Sequence, residues 1–324
     1  MQEKKILTNT LINTYLACPR KYRFRYMDGL LPTGRSQARD TGQIIHTCLE
    51  YWYESQPEWS CLEQVIERHY EKLLYDPAEI ESYVRQEQAV VKAMIYGYIN
   101  HYKDDLANIR IHATEWEFRL PVRQPKMRWK HKTFDLAGKA DAIVVEHDLY
   151  WIMEHKTTSD ISDRYFSKLA IDPQISLYIY AARKLGEMDI AGVIYNVIRK
   201  PSKRLKKNQT VEEYEEELKQ DYLARPEFYF RREYAYRNES ELRELEERLW
   251  FIAQQIRHAK FFPRNAPLAC SMYGSCPYLP LCIEFGEELS ESMYEKTDDL
   301  HPELSPEIKG TEDEGRGHEE ELPW

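Results

Sequence analysis

Leu136-Ala137-Gly138-Lys139-Ala140-Asp141-Ala142-Ile143-Val144-Val145-Glu146, then His147-Asp148, then Leu149-Tyr150-Trp151-Ile152-Met153-Glu154-His155-Lys156, is the stretch whose reading decides the fold. Both arms are rich in β-branched and aromatic residues, and a two-residue polar turn separates them, which predicts a hairpin. Counted from that turn, Asp141 lies six before His147 and Glu154 six after Asp148, so the two carboxylates fall opposite one another. Glu154 and Lys156 are two apart and share a strand face. Two carboxylates held together repel unless a divalent cation offsets their charge, and Mg²⁺ takes such oxygen ligands while keeping several waters. A cation there would acidify a bound water and offset charge on an attacked phosphodiester. Lys156 is placed to orient that water or to stabilise the developing negative charge. The plain alternative is an exposed Glu154–Lys156 ion pair of the kind found on any strand.

Working outward, residues 113–122 alternate and are rich in Trp, Phe and Val, predicting a third strand before the hairpin. Residues 173–186 read as a helix opened by Pro173, and residues 191–199 (AGVIYNVIR) as another strand. This order predicts an α/β core with a mixed sheet. Helices are expected over residues 10–28, 42–55, 80–106 and 238–260. Four successive blocks follow: residues 1–110 a helical lobe, 111–200 the core, 201–282 a basic loop, a long helix and a cysteine cluster, and 283–324 an acidic tail expected to be disordered. No internal repeat is visible.

The 324 residues are 42% hydrophobic and 31% charged, enough for a sizeable core. The net charge of -10 is concentrated at one end. Residues 283–324 hold 15 Asp/Glu against 3 Lys/Arg, a net of -12, which leaves the first 282 residues at +2. A near-neutral body is compatible with a nucleic-acid groove, because local patches govern such binding. No run approaches the ~20 apolar residues of a membrane span, and the N-terminus lacks an apolar signal core. A soluble, cytoplasmic protein without membrane contact is expected.

Six cysteines are too few for a disulfide scaffold in a chain of this length. Cys18 near the start and Cys270, Cys276 and Cys282 near the end supply four thiolates, the number a 4Fe–4S cluster needs. Zinc is the rival, although zinc sites favour CxxC knuckles and here five residues separate each pair. Cys48 and Cys61 read as ordinary thiols. Arg20 and Lys21, in a run interleaved with Tyr22, Phe24 and Tyr26, and Lys203 and Arg204 in the basic loop 199–207 are candidate phosphate contacts. The aromatics are candidates for stacking on single-stranded bases, or else for burial beneath a solvated face. Gln174 and Tyr178, at i and i+4, share one helical face.

The pattern Asp141…Glu154-His155-Lys156 resembles the PD-(D/E)XK nuclease superfamily in its RecB-like branch. Gly42-Gln43-Ile44-Ile45-His46 resembles that branch's Gly-x-x-x-His helix, and Gln174 to Tyr178 resembles its Gln-x-x-x-Tyr helix. The four cysteines resemble the iron–sulfur staple of AddB-type and CRISPR-associated RecB-like nucleases. The motifs occur in the family's order across roughly residues 10–282. The resemblance implies a restriction-endonuclease-like mixed sheet flanked by helices, with an N-terminal helical lobe and an iron–sulfur staple. It implies that His46, Asp141, Glu154 and the His155 backbone carbonyl bind Mg²⁺ or Mn²⁺. Gln174 and Tyr178 would then bond near the active site or to DNA phosphate. The expected activity is a metal-dependent DNA exonuclease acting on ends or single strands, in recombination, repair or phage DNA metabolism. Trimming of CRISPR spacer ends is a second enzymatic reading, and a non-catalytic iron–sulfur DNA-binding subunit a third. No Walker A sequence is present, so no helicase motor is expected within the chain. The terminal residues 318–324 (HEEELPW) resemble the acidic tip of bacterial single-strand-binding proteins. They suggest docking to recombination or replication proteins, competition for the chain's own DNA groove, or a tail that only solubilises.

Overall fold

The computed structural model describes residues 4–75, 80–127, 129–186, 188–271, 274–283, 293–305 and 308. The terminal residues 318–324 lie outside this range. The chain divides into two compact units, each built from separated segments: residues 1–35, 117–139 and 242–324 in the first, and 36–116 and 140–241 in the second. They differ from the four successive blocks read from the sequence, because two long strands, Ile109–Arg123 and Lys130–Glu146, each contribute residues to both.

Among the described residues eight strands form: β1 (Lys5–Leu7), β2 (Leu30–Pro32), β3 (Ile109–Arg123), β4 (Lys130–Glu146), β5 (Leu149–Thr158), β6 (Ile190–Arg199), β7 (Phe230–Ala235) and β8 (Tyr294–Lys296). The second unit holds the sheet order β4-β5-β6-β7. β4 and β5 are antiparallel with Ala142 opposite Met153 and Glu146 opposite Leu149. The expected hairpin and its register are therefore present. His147 and Asp148 both adopt positive φ, at 51° and 62°, the left-handed pair that a two-residue hairpin turn needs to match strand twist. β5 and β6 are parallel, joined through helix Pro173–Leu185, and β7 returns antiparallel as a polar strand. The result is the mixed α/β sheet flanked by helices that the sequence implied, consistent with a restriction-endonuclease-like fold.

Strand alternation gives this sheet two faces. Ala142, Val144, Trp151, Met153, Ile194 and Ile198 join one buried core with residues of helices Gln37–Ser55, Trp59–Leu74, Glu81–His101 and Val211–Ala224. The opposite face carries Ile143, Ile152, Glu154, Val193 and Val197. Helix Pro173–Leu185 is held in place at its start by the Asp172 carboxylate, which accepts from the Gln174 N–H at 2.8 Å.

In the first unit, β1 runs parallel to the early part of β4, with Lys5 opposite Phe134. β2 pairs antiparallel with β8, Leu31 opposite Glu295. Residues 293–305 are the main described part of the acidic tail read as mostly disordered, and they pack within this unit. Tyr294 and Leu304 are buried, and the Ser305 N–H donates to Glu117 at 2.9 Å. The acidic average of residues 283–324 concealed a short apolar segment that has a core position to fill.

Candidate active site

Helix Gln37–Ser55 and strands β4 and β5 bring His46, Asp141, Glu154 and Lys156 together. Asp141 lies one residue beyond the last antiparallel pair, Ala142–Met153, on the side away from the turn, so the register places it beside Glu154. Its Oδ1 meets His46 Nδ1 at 2.9 Å, and its Oδ2 accepts from the His155 backbone N–H at 2.6 Å. Lys156 Nζ pairs with Glu154 Oε1. Gln174 Nε2 donates to the same Glu154 oxygen at 3.1 Å and lies 2.7 Å from the Tyr178 hydroxyl. His46, His155, Lys156 and Gln174 thus bond to one carboxylate pair, and Tyr178 reaches it through Gln174.

Electrostatics divide the two carboxylates. Burial disfavours charge on both, but Asp141 has the His46 imidazole against it and is held below the ordinary carboxylate range. Glu154 is 3% exposed, and burial followed by the Asp141 charge pushes its carboxyl up to about 7. Burial lowers the His46 and Lys156 pKa values; the neighbouring carboxylates outweigh it and raise both. The His155 side chain lies on the opposite sheet face from Glu154, as strand alternation requires, and burial lowers its imidazole pKa to about 3.

Among the described residues, no group of three or more His, Cys, Asp or Glu side chains is disposed to hold a metal ion, the four cysteines included. The carboxylate oxygens are turned onto protein donors instead. One oxygen is not: Glu154 Oε2 is buried and has no hydrogen-bond partner. A buried anionic oxygen left bare is costly, and with Asp141 and His46 near Glu154 it is the kind of oxygen donor that a divalent cation accepts.

The four cysteines all belong to the first unit and are free thiols. Burial raises the Cys282 pKa, and the charges of Cys18, Cys276 and Cys270 raise it further, so Cys282 lies within electrostatic range of each of the other three. The Cys276 N–H donates to the Cys270 carbonyl at 2.9 Å. Arg20 Nε donates to the Phe262 carbonyl at 2.9 Å, and Asn265 Nδ2 to the Ala17 carbonyl at 2.8 Å. The two ends of the chain are therefore joined beside these thiols by protein contacts.

The candidate DNA contacts are less uniform. Tyr22 and Tyr26 are buried: Tyr22 stacks on Phe262 and Tyr26 on His301, which removes both from base stacking. Phe24 is half-buried against Tyr278. Arg20 spends its Nε on a carbonyl, while Lys21 is half-buried. The basic loop leaves β6 at the sheet end where Lys156 sits, its Lys200 N–H donating to the Thr158 carbonyl at 2.7 Å. Lys203 pairs with Glu217 and Asp221 and Lys206 with Glu217, while Arg204 and Lys207 are exposed. Helix Val211–Ala224 thus neutralises part of the loop. Sequence reading passed over that helix, although Tyr214, Leu218 and Tyr222 repeat at i, i+4 and i+8.

A mixed sheet that gathers two carboxylates and a lysine on one face is a candidate hydrolytic centre. The chain belongs to the PD-(D/E)XK nuclease superfamily, whose family model matches residues 7–283. No curated protein matches the chain.

Proposed function

We propose that this chain is a Mg²⁺- or Mn²⁺-dependent deoxyribonuclease of the RecB-like branch, acting as an exonuclease on DNA ends or single strands. The observation that carries the reading is the convergence of His46, Asp141, Glu154 and Lys156, with Glu154 Oε2 buried and unpartnered. His46, Asp141, Glu154 and the His155 carbonyl are the proposed ligands. A divalent cation in that set would lower the pKa of a water and offset charge on the attacked phosphate. Lys156 keeps a positive charge next to Glu154 and supplies it to the developing anion. Gln174 and Tyr178 orient the Glu154 carboxylate from the helix side. Exposed Arg204, together with Lys203, Lys21 and Arg20, is proposed to meet the phosphate backbone.

A structural 4Fe–4S cluster on Cys18, Cys270, Cys276 and Cys282 is proposed as well, from four thiols in one unit with Cys282 near the other three. A place in recombination, repair or phage DNA metabolism, or in CRISPR spacer trimming, is the accompanying biological proposal, with a cytoplasmic location.

The decisive experiment incubates the purified chain with end-labelled linear and with covalently closed circular DNA, single- and double-stranded, plus Mg²⁺ or Mn²⁺. Release of mononucleotides or short products from linear DNA, with circles left intact, is expected. Cleavage of circles would replace the exonuclease reading by an endonuclease one. Binding without cleavage of either, with either metal, would favour the non-catalytic DNA-binding alternative.

A further inference from the structure

Behind the carboxylates, on the opposite sheet face, three polar residues stand in one row across three strands. The register pairs His155 of β5 with Asn196 of β6, and Asn196 with Arg232 of β7. Partners in register project to the same side. All are withdrawn from water: His155 is 4% exposed and Asn196 0%, and the Arg232 side chain is 13% exposed. Such a row is costly unless its members satisfy one another.

Most of it does. Arg232 Nε donates to Asn196 Oδ1, and its two terminal nitrogens form a fork on the Asp105 carboxylate, at 3.1 and 2.5 Å. The Arg232 guanidinium also lies over the Tyr102 ring, 4.3 Å from its centroid. Asp105 Oδ2 accepts from the Tyr53 hydroxyl at 3.0 Å, and that hydroxyl lies 2.9 Å from the hydroxyl of Tyr98. The Tyr53 ring then stacks on the imidazole of His155, with centroids 5.8 Å apart and planes 27° apart. The path returns to its starting residue except for one link. At that link two buried atoms lack partners: Asn196 Nδ2 and His155 Nδ1. One is an obligatory donor, and the other is an acceptor in the Nε2–H tautomer. They sit on directly paired strands spaced about 4.8 Å apart, so a small side-chain rotation or one bridging water joins them.

We propose that Asp105, Arg232, Asn196 and Tyr53 form a closed positioning ring that fixes the His155 imidazole and, through it, the β5 backbone between Glu154 and Lys156. This backbone matters twice. The His155 N–H holds Asp141 Oδ2 at 2.6 Å, and the neighbouring residues carry the acidic and basic groups of the candidate site. A buried ion pair such as Asp105–Arg232 is a poor way to add stability. A fork that sets one carboxamide, which sets one ring, is a way to define direction. The four ring members touch neither substrate nor cation; they act through His155. The inference rests on the nuclease reading for its consequence in catalysis, but not for the ring itself.

The test uses the full chain and two separable measurements. In the first, ¹⁵N-histidine spectra of wild type identify His155 by the resonance lost in His155→Asn. The expected spectrum is the neutral Nε2–H tautomer with Nδ1 shifted as a hydrogen-bond acceptor, and the acceptor shift is lost in Asn196→Leu. An Nδ1–H tautomer, or a free Nδ1 in wild type, overturns the ring. In the second, DNA cleavage is followed at varied Mn²⁺, alongside DNA affinity and the thermal midpoint. Asn196→Leu and His155→Leu should cleave about 10- to 100-fold more slowly and need more Mn²⁺, as expected when groups that orient metal ligands are lost. DNA affinity should stay unchanged. His155→Asn, which returns an acceptor near the Nδ1 position, should recover most of the rate. A folded Asn196→Leu enzyme with wild-type rate and Mn²⁺ dependence overturns the positioning role. If Asn196→Leu does not fold, the comparison of His155→Leu with His155→Asn decides the same point. A wild-type chain that cleaves no DNA while its His155 spectrum is as expected would refute the nuclease reading and leave the ring standing.

Discussion

Glu154 is buried, next to a second carboxylate, and yet has Lys156 on one oxygen and nothing on the other. Its carboxyl is poised near neutrality at about 7. Removing Lys156 takes away the partner charge, and removing Glu154 or Asp141 takes away half of the paired anion. Asp141→Ala, Glu154→Ala and Lys156→Ala are each expected to lower DNA cleavage by at least about 100-fold while leaving far-ultraviolet circular dichroism unchanged. Wild-type rates in a folded Lys156→Ala enzyme would remove Lys156 from the chemistry. This pair was legible in the sequence because a two-residue turn fixes hairpin register, and register fixes which residues oppose. His131 was not legible. Its Nδ1 accepts from the N–H groups of Thr133 and Phe134, at 3.2 and 3.1 Å, and nothing in the run Lys130-His131-Lys132 announces that cap. Burial, then the charges of Arg257, Lys4 and His258, lower its pKa to about 4. The unfolded chain has the ordinary value of about 6.5 and so binds more protons between these limits. Stability therefore rises with pH across that window and is lost as pH falls from about 6.5 to about 4, by about 3 kcal/mol for this group. His131→Asn keeps an acceptor for the two N–H groups but cannot titrate, so the slope of thermal midpoint against pH should flatten between pH 4 and 6.5. An unchanged slope would assign the acid sensitivity to other groups.

Among the elements, helices Gln37–Ser55, Glu81–His101, Pro173–Leu185 and Glu239–His258 and strands β3 to β6 were readable from period and composition. Strand β7 was not: Phe-Arg-Arg-Glu-Tyr-Ala has too little apolar alternation to mark a strand, and its place is set by the β6 neighbour. Helix Trp59–Leu74 carried a signal that was passed over, with Leu62, Ile66 and Tyr70 one turn apart. Close packing between elements was equally hidden. Gly97, in helix Glu81–His101, faces Tyr222 of helix Val211–Ala224, and an added Cβ would lie 2.6 Å from the Tyr222 Cβ. Two opposing effects meet in Gly97→Ala. Helix propensity favours Ala by about 1 kcal/mol. The clash falls on the stem of a side chain that cannot swing away, and overpacking of that kind costs about 1–3 kcal/mol. The clash should prevail, leaving Gly97→Ala less stable in urea unfolding by about 1–2 kcal/mol. A more stable variant would mean that the two helices part without loss.

Over the whole molecule, the long-range organisation was readable where chemistry marks it and unreadable where it rests on packing alone. Cys18 and the three late cysteines stand out because thiols grouped at both ends of a chain too poor in cysteine for a disulfide scaffold need a reason. Tyr294, His301 and Leu304 do not stand out, because acidic neighbours dilute them, yet they are buried in the unit that contains the cysteines. In that unit the protein contacts already hold the ends together: β2 pairs with β8, and the Tyr278 hydroxyl donates to the Leu30 carbonyl at 2.8 Å. Burial and then the other three cysteines raise the Cys282 pKa, so its thiol stays protonated unless a cationic centre stabilises the thiolate. An iron–sulfur cluster would do so, and anaerobically purified protein should then be brown and hold about four irons per chain. Cys276→Ser should lose the colour and lower the thermal midpoint by several degrees. The protein contacts that remain should keep the β2–β8 region folded, so the loss should be partial and proteolysis should not release residues 293–305. Stoichiometric zinc without iron would overturn the cluster. A Cys276→Ser protein unfolded throughout would instead show that the cluster, rather than these contacts, joins the ends of the chain.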